Sequence, residues 1–192
     1  MSPELGLIVS PHDTYAALVR EPVRASLVTA LRRPVLVALV LGVSVSITAT
    51  GRATPVLVAG TTLSWSYIVL LQLAIAMALV ARGARRTVGL ARGLDLFFAG
   101  HAPWSLLVLA AAAWAPSPVG RPFWPLAVLA VIPVLLTPRI VVAFFAEVLG
   151  MSVRDARRMT ALHQAITWTA FVAIVWVSSA LTPRALEFLG LA

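Results

Sequence analysis

Residues 55–80 read PVLVAGTTLSWSYIVLLQLAIAMALV, without a single Asp, Glu, Lys or Arg. At 1.5 Å per residue a helix of that length reaches about 39 Å, more than a hydrocarbon core of roughly 30 Å. Thr54 ahead of it can cap, and Pro55 suits the first helical position. The stretch 54–80 is therefore read as a membrane-spanning helix that tilts or emerges from the bilayer.

The composition around it agrees. Of 192 residues 60% are hydrophobic and 11% charged, against about 25% charged in soluble domains. So few charges cannot clothe a soluble domain, which excludes the soluble globular, disordered and disulfide-rich secreted classes. Four more apolar runs of spanning length follow, at residues 34–50, 96–114, 123–149 and 160–181. The first is short, about 25 Å as a helix, and Pro183 is expected to stop the last. The fold class expected is all-α, a polytopic transmembrane bundle of five spans preceded by residues 1–33.

Charge sets the orientation. All 15 basic residues are arginine, against 7 acids, for a net charge of +8. On a soluble protein this balance would suggest nucleic acid as a partner. Here the arginines sit in clusters between spans, so they read as topology signals and no nucleic-acid partner is expected. Arg20, Arg24, Arg32, Arg33, Arg82, Arg85, Arg86, Arg92, Arg154, Arg157 and Arg158 fall on one side, and Arg52, Arg121 and Arg184 on the other. The positive-inside rule then predicts a cytoplasmic N-terminus and an outside C-terminus. Residues 1–10 have no basic n-region, so no cleavable signal peptide is expected. The chain has no cysteine, which excludes disulfides and thiolate chemistry.

Two helix starts flank the spans. Ser10-Pro11-His12-Asp13 reads as a cap, a proline at the first position and an acid in the first turn. Tyr15, Leu18 and Val19 then recur at helical spacing, and Pro22 restarts a pattern through Val23, Leu27 and Leu31. A basic amphipathic helix of this kind is expected in the membrane interface, or docked on a protein partner. Ser152-Val153-Arg154-Asp155, after Gly150, predicts that the fifth helix starts at Val153 and enters the membrane unbroken.

The fourth apolar run carries Thr137-Pro138-Arg139 in its interior and Glu147 near its end. Thr-Pro predicts a kink or break at 137–139. Arg139 is expected to snorkel to the inner headgroups; a free helix N-terminus beside it would instead bind an anion or headgroup.

Few residues could carry chemistry. His101, in Gly100-His101-Ala102-Pro103-Trp104, and His163, in Leu162-His163-Gln164, each lie about one turn inside a span, at similar predicted depth. Each fits an interfacial histidine bonded to backbone or water; facing one another they would offer two imidazoles to a haem iron. His12, at a helix start, is expected to be solvated. Glu147 follows Arg139 by eight residues, a rotation of about 80°, which makes a direct pair awkward. No His-Glu-x-x-His, Gly-x-Ser-x-Gly or Walker-type run occurs, so no catalytic residue, bound metal or obligate cofactor is expected. Gln72, with Thr61, Thr62, Ser64, Ser66 and Tyr67, places polar atoms in the second span, where they glue helices together or contact a transported ligand.

Three segments together resemble the bacterial members of the YIP-domain family: Pro11-His12-Asp13-Thr14-Tyr15 with Arg20-Glu21-Pro22; Phe97-Phe98-Ala99-Gly100-His101-Ala102-Pro103-Trp104; and Glu147-Val148-Leu149-Gly150-Met151-Ser152. The resemblance implies a non-enzymatic five-helix membrane protein with no catalytic or ligand residues to carry over. Eukaryotic members of that family interact with Rab-type GTPases; that partner is not carried over to this chain. The expectation is a scaffold, adaptor or membrane-organising subunit in contact with lipid and a protein partner or second copy. The alternatives are a membrane subunit of a transporter and a bis-histidine haem anchor.

Overall fold

Apolar sequence in a membrane has one cheap way to satisfy its peptide groups, the α-helix. The computed structural model describes residues 2–22, 26–82, 88–114 and 124–188, and every regular element among them is helical. The order is α1 (Pro3–Val9), α2 (Pro11–Arg20), α3 (Leu27–Thr50), α4 (Pro55–Arg82), α5 (Leu90–Ala99), α6 (Ala102–Trp114), α7 (Trp124–Ala143), a π-helical turn (Phe144–Val148) and α8 (Val153–Phe188). Arg24, Arg85, Arg86 and residues 115–123, with Arg121 among them, lie outside the described residues.

Four of these helices are long and apolar enough to cross a membrane: α3, α4, α7 with its π turn, and α8. The pair α5 and α6, bent by 43°, makes a fifth when counted as one. Helix α3 begins earlier than the hydropathy of 34–50 suggests. Ser26 and Thr29 cap it reciprocally, Ser26 Oγ accepting from the Thr29 amide at 3.2 Å and Thr29 Oγ1 from the Ser26 amide at 2.8 Å. Arg32, Arg33 and Pro34 therefore sit inside the helix. Helix α8 starts at Val153, with the Ser152 hydroxyl accepting from the Asp155 amide at 3.2 Å. It runs on through Pro183 to Phe188, so that proline does not end it.

Helix α7 likewise passes through Thr137-Pro138-Arg139 without a break. Pro138 removes the backbone donor to the Val134 carbonyl; beside it the Thr137 hydroxyl donates to the Pro133 carbonyl at 2.6 Å and Trp104 Nε1 donates to Thr137 Oγ1 at 2.8 Å, which ties α6 to α7 there. Departure from α geometry comes later, at Phe144–Val148. This turn is enclosed by α2, α5 and α8, and Phe144, Phe145 and Val148 are buried in it together.

The break lies instead in the third apolar run, at Gly100-His101. The Gly100 and His101 amides turn back onto the Phe97 and Phe98 carbonyls, each at 3.1 Å. A Cβ at Gly100 would stand 2.8 Å from the Ile140 side chain and 3.1 Å from the Tyr15 hydroxyl. Pro103 restarts the helix in the first turn of α6, where no amide partner is lost.

The N-terminal helices are packed elements of the bundle. Leu7, Tyr15 and Leu18 are buried, and α2 lies against the π turn and α7. This differs from an interfacial helix whose apolar face meets lipid: here that face meets protein. The core beneath is aromatic. Phe144 meets Tyr15 edge-on at 5.8 Å and Phe97 at 5.5 Å, ring centre to ring centre.

Candidate functional site

Two constellations stand out: an ionic cluster that ties down the N-terminal helices, and a cavity inside the helix bundle.

The cluster is centred on Asp95 of α5, which accepts from Arg33 of α3 and, at 2.9 Å, from Arg92 of its own helix. Arg33 reaches on to Glu4 of α1 at 3.0 Å. Arg92 donates to the Leu18 carbonyl at 3.1 Å, capping the end of α2, and lies 3.8 Å from Glu21. Burial pushes the Glu4 carboxyl up, while its own backbone amide and the Arg33 guanidinium bring it below the usual carboxylate value. Burial pushes the Tyr15 hydroxyl well above its ordinary value. It therefore stays protonated and donates to the Leu96 carbonyl at 3.2 Å. Sequence reading missed this cluster, because it assigned Arg33 and Arg92 to topology. The one local signal was Arg92 and Asp95, an i,i+3 pair of opposite charge.

The cavity has a volume of about 420 Å³ and is bounded by α2, α3, α4, the α5–α6 break, α7 and α8. His101, His163 and Gln72 all line it, so three residues from distant parts of the sequence meet at one place. Ser105, Thr137, Gln164 and Thr167 also line it, and the rest is mainly apolar, with Trp65, Phe97, Trp104, Phe144, Trp168 and Phe171 supplying aromatic rings. Phe97 packs edge-on against both imidazoles, at 5.3 Å from His101 and 5.7 Å from His163.

Several polar atoms of the lining residues are covered by protein and lack partners. Both ring nitrogens of His163, Nε2 of Gln164 and Oγ1 of Thr167 are buried with no hydrogen-bond partner among the described residues. Each such group costs about 1–3 kcal/mol. Folded proteins pair nearly all their buried polar atoms, so a cluster of exceptions at one cavity calls for an explanation. Gln164 is half satisfied: its Oε1 accepts from Trp168 Nε1 at 3.2 Å. An indole N–H can only donate, so this contact fixes which end of the amide is oxygen and presents the NH₂ as a donor.

The remaining candidates lie elsewhere. Glu147 sits on the π turn and pairs with His12 Nδ1 at 3.0 Å, so His12 has a carboxylate beside it as well as solvent. Arg139 is exposed on α7, away from the cavity lining. Because α7 is continuous there, Arg139 has no free helix N-terminus beside it, and the anion site expected from a broken helix is not formed. Among the described residues no group of three or more His, Cys, Asp or Glu could hold a metal ion.

No family model, curated protein or solved structure matches this chain.

Proposed function

We propose that this chain is a non-enzymatic, multi-pass protein of the bacterial cytoplasmic membrane that acts as a scaffold or adaptor subunit in a larger assembly. It crosses the bilayer five times, counting α5 and α6 as one bent span, with its N-terminus in the cytoplasm and its C-terminus outside. The arginine distribution supports that orientation, and the resemblance to bacterial YIP-domain proteins supports the non-enzymatic reading.

The observation that carries the proposal is how little α8 buries within its own chain. Of its most apolar window 11% is buried, compared with 28% for α3. Leu162, Ile166, Trp168, Val172, Val175, Trp176 and Val177 are all exposed on it. At 100° per residue they fall on a face about 200° wide. Lipid covers part of such a surface, and a second helix packed along it covers the rest. The apolar faces of α1 and α2 are already used internally, so the partner surface is α8 and not the N-terminal segment.

Native mass spectrometry of the protein released gently from its membrane tests this. A complex with another polypeptide, or a homo-oligomer, is expected; a monomer carrying only lipid overturns it. Since the chain has no cysteine, single cysteines at Ser152 and Thr54 would report the orientation. Ser152→Cys should be shielded from an impermeant maleimide outside the cell, and Thr54→Cys labelled.

A second reading, a membrane subunit of a transporter, is favoured by Gln72 and the polar groups at the cavity. It predicts co-purification with an energising component and loss of substrate uptake when this chain is deleted.

A further inference from the structure

A second cavity, of about 260 Å³, lies between α1, α3 and the α5–α6 bend. Val37 and Val40 of α3, Phe98 and Ala99 of α5 and Ala102 of α6 line its inside. Leu5 of α1, Leu36 of α3 and Leu106 of α6 complete the lining and are each half exposed. It is therefore a groove that opens on the surrounding hydrocarbon. From Arg33 to Val40 it follows α3 for about 10 Å.

One end of the groove is ionic. Glu4 and Arg33 line it there and pair at 3.0 Å. Arg33 also binds Asp95, and Asp95 and Glu21 share Arg92. Three carboxylates thus divide two guanidiniums among them, and the cluster is one positive charge short. Within the groove, Glu4 is the carboxylate that another cation can reach. Its side chain is 40% exposed, against 13% for Asp95. A carboxylate offers about four acceptor positions, more than one guanidinium N–H fills.

Arg32 stands beside the same end. It is exposed, with no ion pair among the described residues, and lies one turn before Leu36 on the same face of α3. Helical side chains lean toward the N-terminus, which carries this guanidinium away from the apolar groove and toward the headgroup layer. The order of groups is a free guanidinium, an under-neutralised carboxylate, then a slot for hydrocarbon.

That order matches a phospholipid, and the carboxylate selects which one. An acyl chain gains little by leaving lipid for an apolar groove, so the headgroup decides. Every phospholipid brings a phosphate to Arg32. An amine-bearing headgroup also brings a cationic N–H donor to Glu4. A quaternary ammonium has no N–H to give, and an anionic headgroup sets a like charge beside the carboxylate.

We infer that this groove holds a chain of an amine-bearing zwitterionic phospholipid, phosphatidylethanolamine by chemical class, with its phosphate at Arg32 and its ammonium at Glu4. The assignment needs only that the chain lies in a bilayer, and it is independent of any partner on α8.

The test titrates the full chain, stripped of lipid in detergent, with dioleoyl phosphatidylethanolamine, phosphatidylcholine and phosphatidylglycerol. Native mass spectrometry counts the bound lipids. The three share their chains and phosphate and differ in the group beyond it. The first phosphatidylethanolamine is expected to bind at least about fivefold tighter than either of the others. Glu4→Gln, which breaks a solvent-screened pair and should fold, is expected to erase that preference. Arg32→Gln, at an exposed position, should weaken all three lipids alike. Ala102→Leu narrows the groove and should weaken phosphatidylethanolamine at least about threefold; if it fails to fold, Glu4→Gln still decides. Equal binding of the three lipids, tightest binding of phosphatidylglycerol, or a preference that survives Glu4→Gln would each overturn the assignment.

Discussion

Asp95 holds two arginines at once and is itself only slightly exposed, its side chain at 13%. Glu4 holds one of the same arginines from a more open position, with its side chain at 40%. The two carboxylates therefore differ in what their loss leaves behind. Asp95→Asn strands Arg33 and Arg92 against partly buried surroundings, a loss of about 3 kcal/mol by analogy with other enclosed ion pairs. Glu4→Gln removes a solvent-screened contact and costs about 1 kcal/mol or less. Denaturant titration of the two variants in the same detergent should give that order, and equal losses would mean that Asp95 is solvated. This cluster was hidden in the sequence because its partners are 62 and 29 residues apart and because arginine beside a span has a ready topological reading. His101 and His163 were easier to place, since equal depth on two spans left only the helix rotation unknown. What no spacing could reveal is that Gln164 and Thr167 are among the residues lining the same cavity.

Helices α3 and α4 meet through small side chains. Gly42, Ser44 and Ser46 are buried on α3, and Thr61 Oγ1 donates to the Gly42 carbonyl at 2.7 Å. A Cβ at Gly42 would stand 2.8 Å from the Thr62 Cα, so the two backbones are nearly in contact there. Such close approach is how helices associate in lipid, where apolar burial gives no advantage over solvation by acyl chains. Gly42→Leu should force the pair apart and lower the thermal midpoint by several degrees or prevent folding. Gly60→Ala, where a Cβ meets nothing within 4 Å, should leave stability unchanged or raise it by up to about 1 kcal/mol. A thermal-shift comparison by size-exclusion chromatography separates the two, and similar behaviour would show that the α3–α4 contact is loose. The break was expected at Thr137-Pro138-Arg139, where α7 is continuous. A proline inside an apolar helix need not end it, because in lipid no water competes for the carbonyl it leaves free. At the α5–α6 bend the local signal was Gly100 followed by Pro103, and crowding by Ile140 and Tyr15 leaves no room for a side chain at Gly100.

Taken as a whole, the described residues form a set of apolar helices whose largest fully buried side chains include Tyr15, Phe144 and Phe145, close to the α2–π-turn contact. Hydropathy was enough to find the helices of spanning length, because lipid imposes length and composition on each separately. It was not enough to show that residues 3–20 belong to the bundle, since an amphipathic face reads the same whether lipid or protein covers it. Deleting residues 2–21 should therefore keep membrane insertion while lowering the thermal midpoint on the order of 10 °C, from losing Leu7, Tyr15 and Leu18 as packing. An unchanged midpoint would return these helices to the lipid interface.

The docking of α2 also sets an order of events during synthesis. Tyr15 leaves the ribosome about 130 residues before Phe144, the ring it packs against. At about 5–20 residues per second, that is a wait of roughly 6–26 s. Throughout it α1 and α2 have no place to go, while the helices that will receive them are still being made. Leu7, Tyr15 and Leu18 must be sheltered during that interval by lipid, by the insertion machinery or by a holding chaperone. Helices α1 and α2 are thus among the last elements to reach their final position although they precede the spans, and premature collapse onto an incomplete bundle is the misfolding route this topology has to avoid.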